Sequence, residues 1–251
     1  MIEVKDLVKS FGDQTVLSDV NAVFQTGKVN FIIGRSGSGK SVLTKCIVGL
    51  FDVDQGEVLY DGRDFTQMKR SAKKEIRQEI GMLFQGSALF DSLTVEENVI
   101  FPLKMFSSMT PEEMQERANF CLQRVQLEGA NKKFPSEISG GMQKRVGIAR
   151  AIAMQPKYLF CDEPNSGLDP QTAIVIDNLI REITLEYNIT TVVVSHDMNS
   201  VIEIGDSIHF VHQGTIGWTG DKKRILSSGN QALDDFVYAS EFMKQVKSHL
   251  G

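Results

Sequence analysis

Val29-Asn30-Phe31-Ile32-Ile33, followed directly by Gly34-Arg35-Ser36-Gly37-Ser38-Gly39-Lys40-Ser41, is the stretch that decides how this chain folds. The first five residues read as a short buried strand, and residues 42–50 read as a helix. The eight residues between them match G-x-x-x-x-G-K-[ST], in the strand-before, helix-after setting that phosphate binding requires. Glycines let the backbone curl round a phosphate chain with its N–H groups pointing inward at a helix N-terminus. Lys40 then supplies a point charge near the outer phosphates, and the Ser41 hydroxyl is a ligand for Mg²⁺.

Further apolar strands of the same kind stand at residues 80–84, 158–161 and 191–195, with amphipathic helical segments between them. Buried strands interleaved with helices predict an α/β fold around a parallel sheet covered on both faces. Ahead of Gly34 the pattern differs. Alternating runs at residues 2–8, 16–24 and 29–33 are separated by Gly12-Asp13 and Thr26-Gly27, which predicts strands joined as hairpins. From Leu93 to Phe134 the strand signal stops. Thr110-Pro111-Glu112-Glu113 reads as an N-cap, an N1 proline and a capping-box glutamate, with Met114, Ala118, Cys121, Leu122 and Val125 on one face of the helix they open. A last amphipathic helix is expected over residues 231–251, after Gly229-Asn230, with Leu233, Phe236, Val237, Met243, Val246 and Leu250 on one side. Its apolar face could cover its own core, a second copy or a small regulatory subunit, and use between molecules is the favoured expectation.

The 251 residues are 41% hydrophobic and 24% charged, which excludes disorder and fibrous repeats. A net charge of −5 argues against a general nucleic-acid partner. The three cysteines, Cys46, Cys121 and Cys161, form no framework or knuckle, which suits a reducing compartment. No apolar run approaches the ~18 residues that suggest a membrane span, and the start, MIEVKDLVKSFG, has no signal-peptide character. The expectation is a soluble, cytosolic chain that serves a membrane, if at all, through a partner.

A second chemical site follows the strand Tyr158-Leu159-Phe160-Cys161, where Asp162 and Glu163 stand at the carboxyl end that open parallel sheets use for ligands. Asp162 would hold Mg²⁺ through its water shell, and Glu163 would orient or deprotonate the attacking water. Two other patterns carry no site. Asp52-Val53-Asp54 has Gly56 where a calcium loop needs an oxygen ligand, and Ser195-His196-Asp197 cannot form a hydrolase relay from consecutive residues.

At Ile138-Ser139-Gly140-Gly141-Met142-Gln143-Lys144-Arg145 the sequence carries a motif that a generic P-loop fold does not explain. Ser-Gly-Gly opening a long helix that ends just before the Asp162-Glu163 strand resembles the ABC (ATP-binding cassette) ATPases. The likeness runs over nearly the whole chain in the expected order. Phe11 matches the aromatic position that stacks on adenine, Gln85 the Q-loop, residues 139–143 the signature motif, residues 166–169 the D-loop ending in Asp169, and His196 the switch histidine. The resemblance implies a P-loop NTPase fold: a RecA-like parallel core, an N-terminal antiparallel β subdomain and an inserted helical subdomain over about residues 93–155. It places the ATPase domain at residues 1–230 and the terminal helix at 231–251. It also implies ATP and Mg²⁺ as cofactors, and two copies head to tail, each completing the other's site with Ser139, Gly140, Gly141 and Gln143. Gln85 would sit beside Mg²⁺ and the water, and His196 would contact the γ-phosphate.

Within that family, residues 82–90, 138–150 and 193–197 resemble the lipid-asymmetry (Mla-type) transporter ATPases. Such proteins sit under a dimeric permease at the cytoplasmic face of the inner membrane and help move phospholipid between two membranes. A periplasmic lipid-binding protein and a small regulatory subunit are further partners the resemblance allows. Asn165, where most of the family carries Thr, and Cys161 depart from the commonest pattern without removing a group the mechanism needs. An importer for another solute, such as an amino acid or metal, and a non-transport ABC protein remain as alternatives.

Overall fold

The computed structural model describes residues 1–239 and Lys244. Strands β1 (Ile2–Phe11) and β2 (Gln14–Phe24) form an antiparallel hairpin closed by Gly12-Asp13, with Phe11 paired to Gln14. β1 pairs on its other side with β4 (Gln55–Tyr60), and β4 with the two-residue β5 (Arg63–Asp64), giving the order β2-β1-β4-β5. The sequence reading anticipated the first hairpin and missed β4 and β5. It also joined residues 16–24 to 29–33 as a second hairpin, and this is corrected. β3 (Val29–Ile33) leaves the antiparallel sheet and lies parallel to β9 (Ser207–His212), with Asn30 opposite Ser207 and Ile33 opposite Phe210. Every residue of β3 is buried, which a one-sided hairpin strand could not be.

The chain divides into two compact units, Met1–Met68 with the segment from Val194 on, and Lys69–Val193. In the first, β9 also pairs antiparallel with β10 (Thr215–Gly220), a hairpin the sequence reading did not find. Helices α1 (Lys40–Ile47), α7 (Met198–Ile204) and α8 (Gln231–Val237) complete it. Its core includes Phe24 edge-on to His209 at 4.9 Å, and burial pushes that imidazole down to about 4, so it packs as a neutral ring. α8 begins just after Gly229-Asn230, as expected, with Asn230 as its cap, but it ends at Val237 and Ala239 is in no helix, so the single helix expected over 231–251 is corrected. Leu233 and Val237 are buried, and the Phe236 ring lies 5.6 Å from Phe210, so α8 is satisfied within its own unit. Met243, Val246 and Leu250 lie outside the described residues.

The second unit holds α2 (Arg70–Gln78) and the neighbouring strands β6 (Ile80–Leu83), β7 (Tyr158–Asp162) and β8 (Thr190–Val194). β6 and β7 are parallel, Ile80 opposite Tyr158 and Leu83 opposite Cys161. Around them run α3 (Val95–Phe106), α4 (Pro111–Arg124), α5 (Gly140–Ile152) and α6 (Pro170–Glu186). The Thr110 capping box forms as read from the sequence, and Thr94 makes a second at α3. Ala118, Cys121, Leu122 and Val125 are buried as one seam. Arg117 closes the far end of α5 by donating to the carbonyls of Ile152 and Ala153, both at 2.9 Å.

Asn98, fully buried on α3, ties down the loop ahead of its own helix. Its Oδ1 accepts from the Phe90 amide at 2.8 Å, and its amide donates to the carbonyls of Phe90, Leu93 and Thr94 at 3.0–3.1 Å. Asn98→Ala removes the side-chain bonds to the Phe90 amide and the Leu93 carbonyl, while the Phe90 and Thr94 carbonyls keep the backbone amides of residues 93 and 98. The expected loss is about 3 kcal/mol of unfolding free energy, read as a lower denaturant midpoint at unchanged slope; a loss below ~1 kcal/mol would show that water replaces the side chain.

Candidate nucleotide site

In the first unit, β3 delivers the chain at Ile33 into the Gly34–Ser41 loop, and α1 begins at Lys40. Gly34, Gly37 and Gly39 have φ of +149°, +77° and +110°. A Cβ on Gly34 would stand 2.4 Å from the Val211 carbonyl oxygen, so the loop's start admits no side chain. Three left-handed residues in six turn the loop into an inward-facing cradle. Lys40 bends back over it, its Nζ donating to the carbonyls of Gly34 at 2.8 Å and Arg35 at 3.1 Å. Arg35, Ser36, Gly37 and Ser41 are exposed. The buried Ser38 hydroxyl oxygen has no hydrogen-bond partner among the described residues.

Phe11 stands exposed at the tip of the β1–β2 hairpin, 45% accessible, with Phe51 edge-on at 5.3 Å and the Lys9 ammonium 5.3 Å from its ring centre. Lys9 pairs at 2.8 Å with Asp54, whose carboxyl also accepts from the Ser10 amide; those bonds hold Asp54 below the usual carboxylate range. The carboxylate that hinted at a calcium loop is thus engaged elsewhere, and no group of three or more potential metal-holding side chains occurs among the described residues. His196 is exposed, two residues beyond β8. Its neighbours form no relay: Ser195 Oγ accepts from the Asp197 amide, and Asp197 caps α7 by accepting from Asn199.

In the second unit, Asp162 is the last residue of β7 and half-buried, and Glu163 follows it with φ +47°. Left-handed backbone is costly for a glutamate, by about 1–3 kcal/mol, and such strain gathers where a side chain must be aimed. Gln85 is exposed, two residues beyond β6. Ser139 caps α5 through its Oγ, which accepts from the Met142 amide at 3.3 Å, leaving Gly140 exposed in the first turn. Gln143 lies one turn further in, its amide donating to the Pro135 carbonyl at 2.9 Å. Gly141 touches α6, since a Cβ there would meet Thr172 Cγ2 at 2.5 Å. Thr172 in turn bonds Asp169, which caps α6 by accepting from the amides of Gln171 and Thr172 at 3.0 Å; the Thr172 hydroxyl above all holds this carboxyl below its usual range. The structure therefore joins the signature and D-loop residues through Thr172.

Three residues of this unit went unread as functional. Thr172 is one. Lys144 and Arg150 are the others: the Lys144 ammonium bonds the Gln85 carbonyl and reaches that of Glu163 at 3.4 Å, while Arg150 bonds the carbonyls of Ser87 and Ala88 at 2.6 and 2.7 Å. Burial pushes both cations down from their ordinary values, and the field of Cys161, Asp162 and Glu163 partly restores Lys144. Nothing in the sequence marked either cation: they stand six residues apart on α5 with Gly147 midway, and their partners are backbone carbonyls.

Comparison with known proteins gives these arrangements their context. The family model described as ABC transporter matches residues 17–166. The chain is 35% identical over 237 residues to the intermembrane phospholipid transport ATP-binding protein MlaF of Haemophilus influenzae, covering 94% of this chain and 90% of that protein. The chain belongs to the ABC transporter ATP-binding family. It is also 36% identical to the methionine import protein MetN of Campylobacter jejuni, over 98% of this chain and 78% of MetN. It is 37% identical to Mkl of Mycobacterium leprae, named for ribonucleotide transport, of whose length it spans 68%. Among solved structures it superposes on the dimeric ATP-binding cassette MJ0796 bound to ADP and Pi with a TM-score of 0.80 at 33% identity, covering 88% of this chain and 99% of that one. As an ABC ATPase it binds ATP with Mg²⁺ and hydrolyses it. The residues fit that nucleotide: the side-chain-free cradle at Gly34, the buried Ser38 hydroxyl awaiting a partner and the bent-back Lys40 all suit a phosphate chain. No helix among the described residues is long and apolar enough to cross a membrane.

Proposed function

We propose that this ABC ATPase powers a separate membrane permease that moves phospholipid between inner and outer membranes, working from the cytoplasmic face of the inner membrane. The match to MlaF, nearly end to end in both proteins, carries this reading. We take residues 1–230 as the ATPase domain, about 93–155 as its helical subdomain, and 231–251 as a C-terminal segment that opens with α8. The permease, a periplasmic lipid-binding protein and a small regulatory subunit are the partners, with no nucleic acid.

Each residue has a part in the reaction. Phe11 offers a ring face to adenine. The 34–41 loop takes the phosphates on its amides, with Lys40 leaving its loop carbonyls for them. Ser41, Gln85 and Asp162 would hold Mg²⁺, which when bound draws charge from the phosphate oxygens. Glu163 accepts a proton from the water as its oxygen bonds to the γ-phosphorus and the bond to ADP breaks, and His196 donates to the γ-phosphate. Ser139, Gly140, Gly141 and Gln143 face the ATP of a second copy, and Asp169 borders that contact. The α5 N-terminus is suited to it, with a hydroxyl, exposed backbone and the positive end of a thirteen-residue helix.

Turnover per chain should therefore rise with chain concentration, and Ser139→Ala should lower it about tenfold, the share of one charge-assisted hydrogen bond of about 1.4 kcal/mol. A rate per chain independent of concentration, with Ser139→Ala at parent speed, would remove the two-copy site. Transport is tested on the complex extracted from membranes. Phospholipid should co-purify with the permease and stimulate hydrolysis, whereas stimulation by methionine and not by phospholipid would replace the lipid reading with an importer.

A further inference from the structure

α5 turns a single ridge, Lys144, Gly147 and Arg150, toward the chain that follows β6. Successive members are three residues apart, so each neighbours the next and the ridge winds about 120° round the helix from Lys144 to Arg150. Gly147 sets the distance: a Cβ there would stand 2.6 Å from Leu83 Cδ1 and 3.6 Å from Ser87 Cβ. Close approach brings the backbone of residues 85–88 within reach of the two cations that flank the glycine. Ser87 and Ala88 both have left-handed backbone, at φ +61° and +47°, which turns their carbonyls to the Arg150 fork.

Lys144 does something different from Arg150. It is 4% exposed, and its ammonium is shared between two segments 78 residues apart, at the Gln85 and Glu163 carbonyls. An ammonium taken out of water is unfavourable unless several acceptors replace the solvent. Its neighbours on the helix, Val146 and Ile148, are buried apolar residues, and an apolar side chain at 144 would avoid that cost altogether. The cation therefore has a use that packing does not supply. Both carbonyls belong to residues whose side chains carry the proposed chemistry, and one of those residues, Glu163, is held in left-handed backbone.

We infer that Lys144 is a positioning residue for hydrolysis: by binding the Gln85 and Glu163 carbonyls together, it fixes the base relative to the Gln85 segment and ties both to the helix that begins at Ser139. The inference rests on Glu163 being the base. It also supplies a direct route, along about one and a half turns of α5 and then through the Lys144 hydrogen bond, by which the Ser139 end, were it to meet the other copy's ATP, would bear on the chain's own Glu163. Nothing in this role touches the nucleotide, so it belongs in kcat and not in binding.

The experiment uses the full chain with Lys144→Met, which keeps the stem and removes the donor, and Lys144→Gln, which keeps a shorter neutral donor. Lys144→Met is expected to lower kcat at least tenfold with KM for ATP within twofold, and Lys144→Gln to lower it three- to tenfold. In single turnovers on a Glu163→Gln background, either substitution should cost less than twofold, because the group it positions is gone. A parent-like kcat, a loss shared equally by KM, or the same loss with and without Glu163 would overturn the inference. Should Lys144→Met fail to fold, Lys144→Gln decides by the same readings. A normal Lys144→Met beside an inactive Glu163→Gln overturns this inference alone, whereas a fully active Glu163→Gln overturns the base assignment and this inference with it.

Discussion

Glu163→Gln is expected to bind ATP as the parent does and to hydrolyse it 10²- to 10⁴-fold more slowly, the contribution of a positioned general base, about 3–5 kcal/mol of barrier. Glutamine matches glutamate in shape and differs in being unable to take a proton from water. The backbone around it has no reason to change, since the Glu163 carbonyl keeps the Ser166 amide at 3.1 Å and the Lys144 ammonium. The loss should therefore fall on the chemical step, seen as normal titration with a fluorescent ATP analogue beside absent phosphate release. Hydrolysis within tenfold of the parent would move the base elsewhere.

Lys40→Ala should act on the other side of that division. Its ammonium is the one cation that α1 brings back over the loop, 2.8 Å from the Gly34 carbonyl. A charge-assisted bond to phosphate of about 2.7 kcal/mol corresponds to roughly hundredfold weaker ATP binding. The fold should be little affected, because the lysine is half-buried and its loop carbonyls can turn to water. Adenosine, which has no phosphates, provides the control and should bind both forms alike. ATP affinity within threefold of the parent would show that the loop amides alone carry the phosphate.

The two sets of predictions differ in how far the sequence could support them. β3, the Gly34–Ser41 loop and α1 are continuous in the chain, and the pattern that encodes them spans less than twenty residues. The same holds for the Thr110 capping box and the Asn230 cap, each satisfied within three residues. The second strand pair was misjudged for the converse reason. Residues 29–33 look like any apolar run, and only the arrival of Ser207–His212 alongside makes β3 parallel and buried on both faces. β9 and β10 themselves escaped notice because a run such as SIHFVH alternates too weakly to stand out without its partner.

For the site, the glycine-rich loop and the strand-end carboxylates point to Lys40, Asp162 and Glu163 from local chemistry, whereas Phe11, Gln85, Ser139, Asp169 and His196 are expected from the resemblance to the ABC ATPases. Lys144 and Arg150 could not be read that way. Their partners lie 59 to 63 residues away at Gln85, Ser87 and Ala88, and they bind backbone carbonyls, which every residue possesses and no sequence advertises. Thr172 became visible only when Gly141 was seen to meet it across two helices.

From the order of its residues alone this chain declares a phosphate loop, a carboxylate pair at a strand end and the helix caps between them, since hydrogen bonds and backbone angles within a few residues decide those features. Which strands lie side by side, and which buried cation holds which carbonyl, was decided by packing, because only close approach of distant segments in a water-poor interior makes one acceptor preferable to all the others.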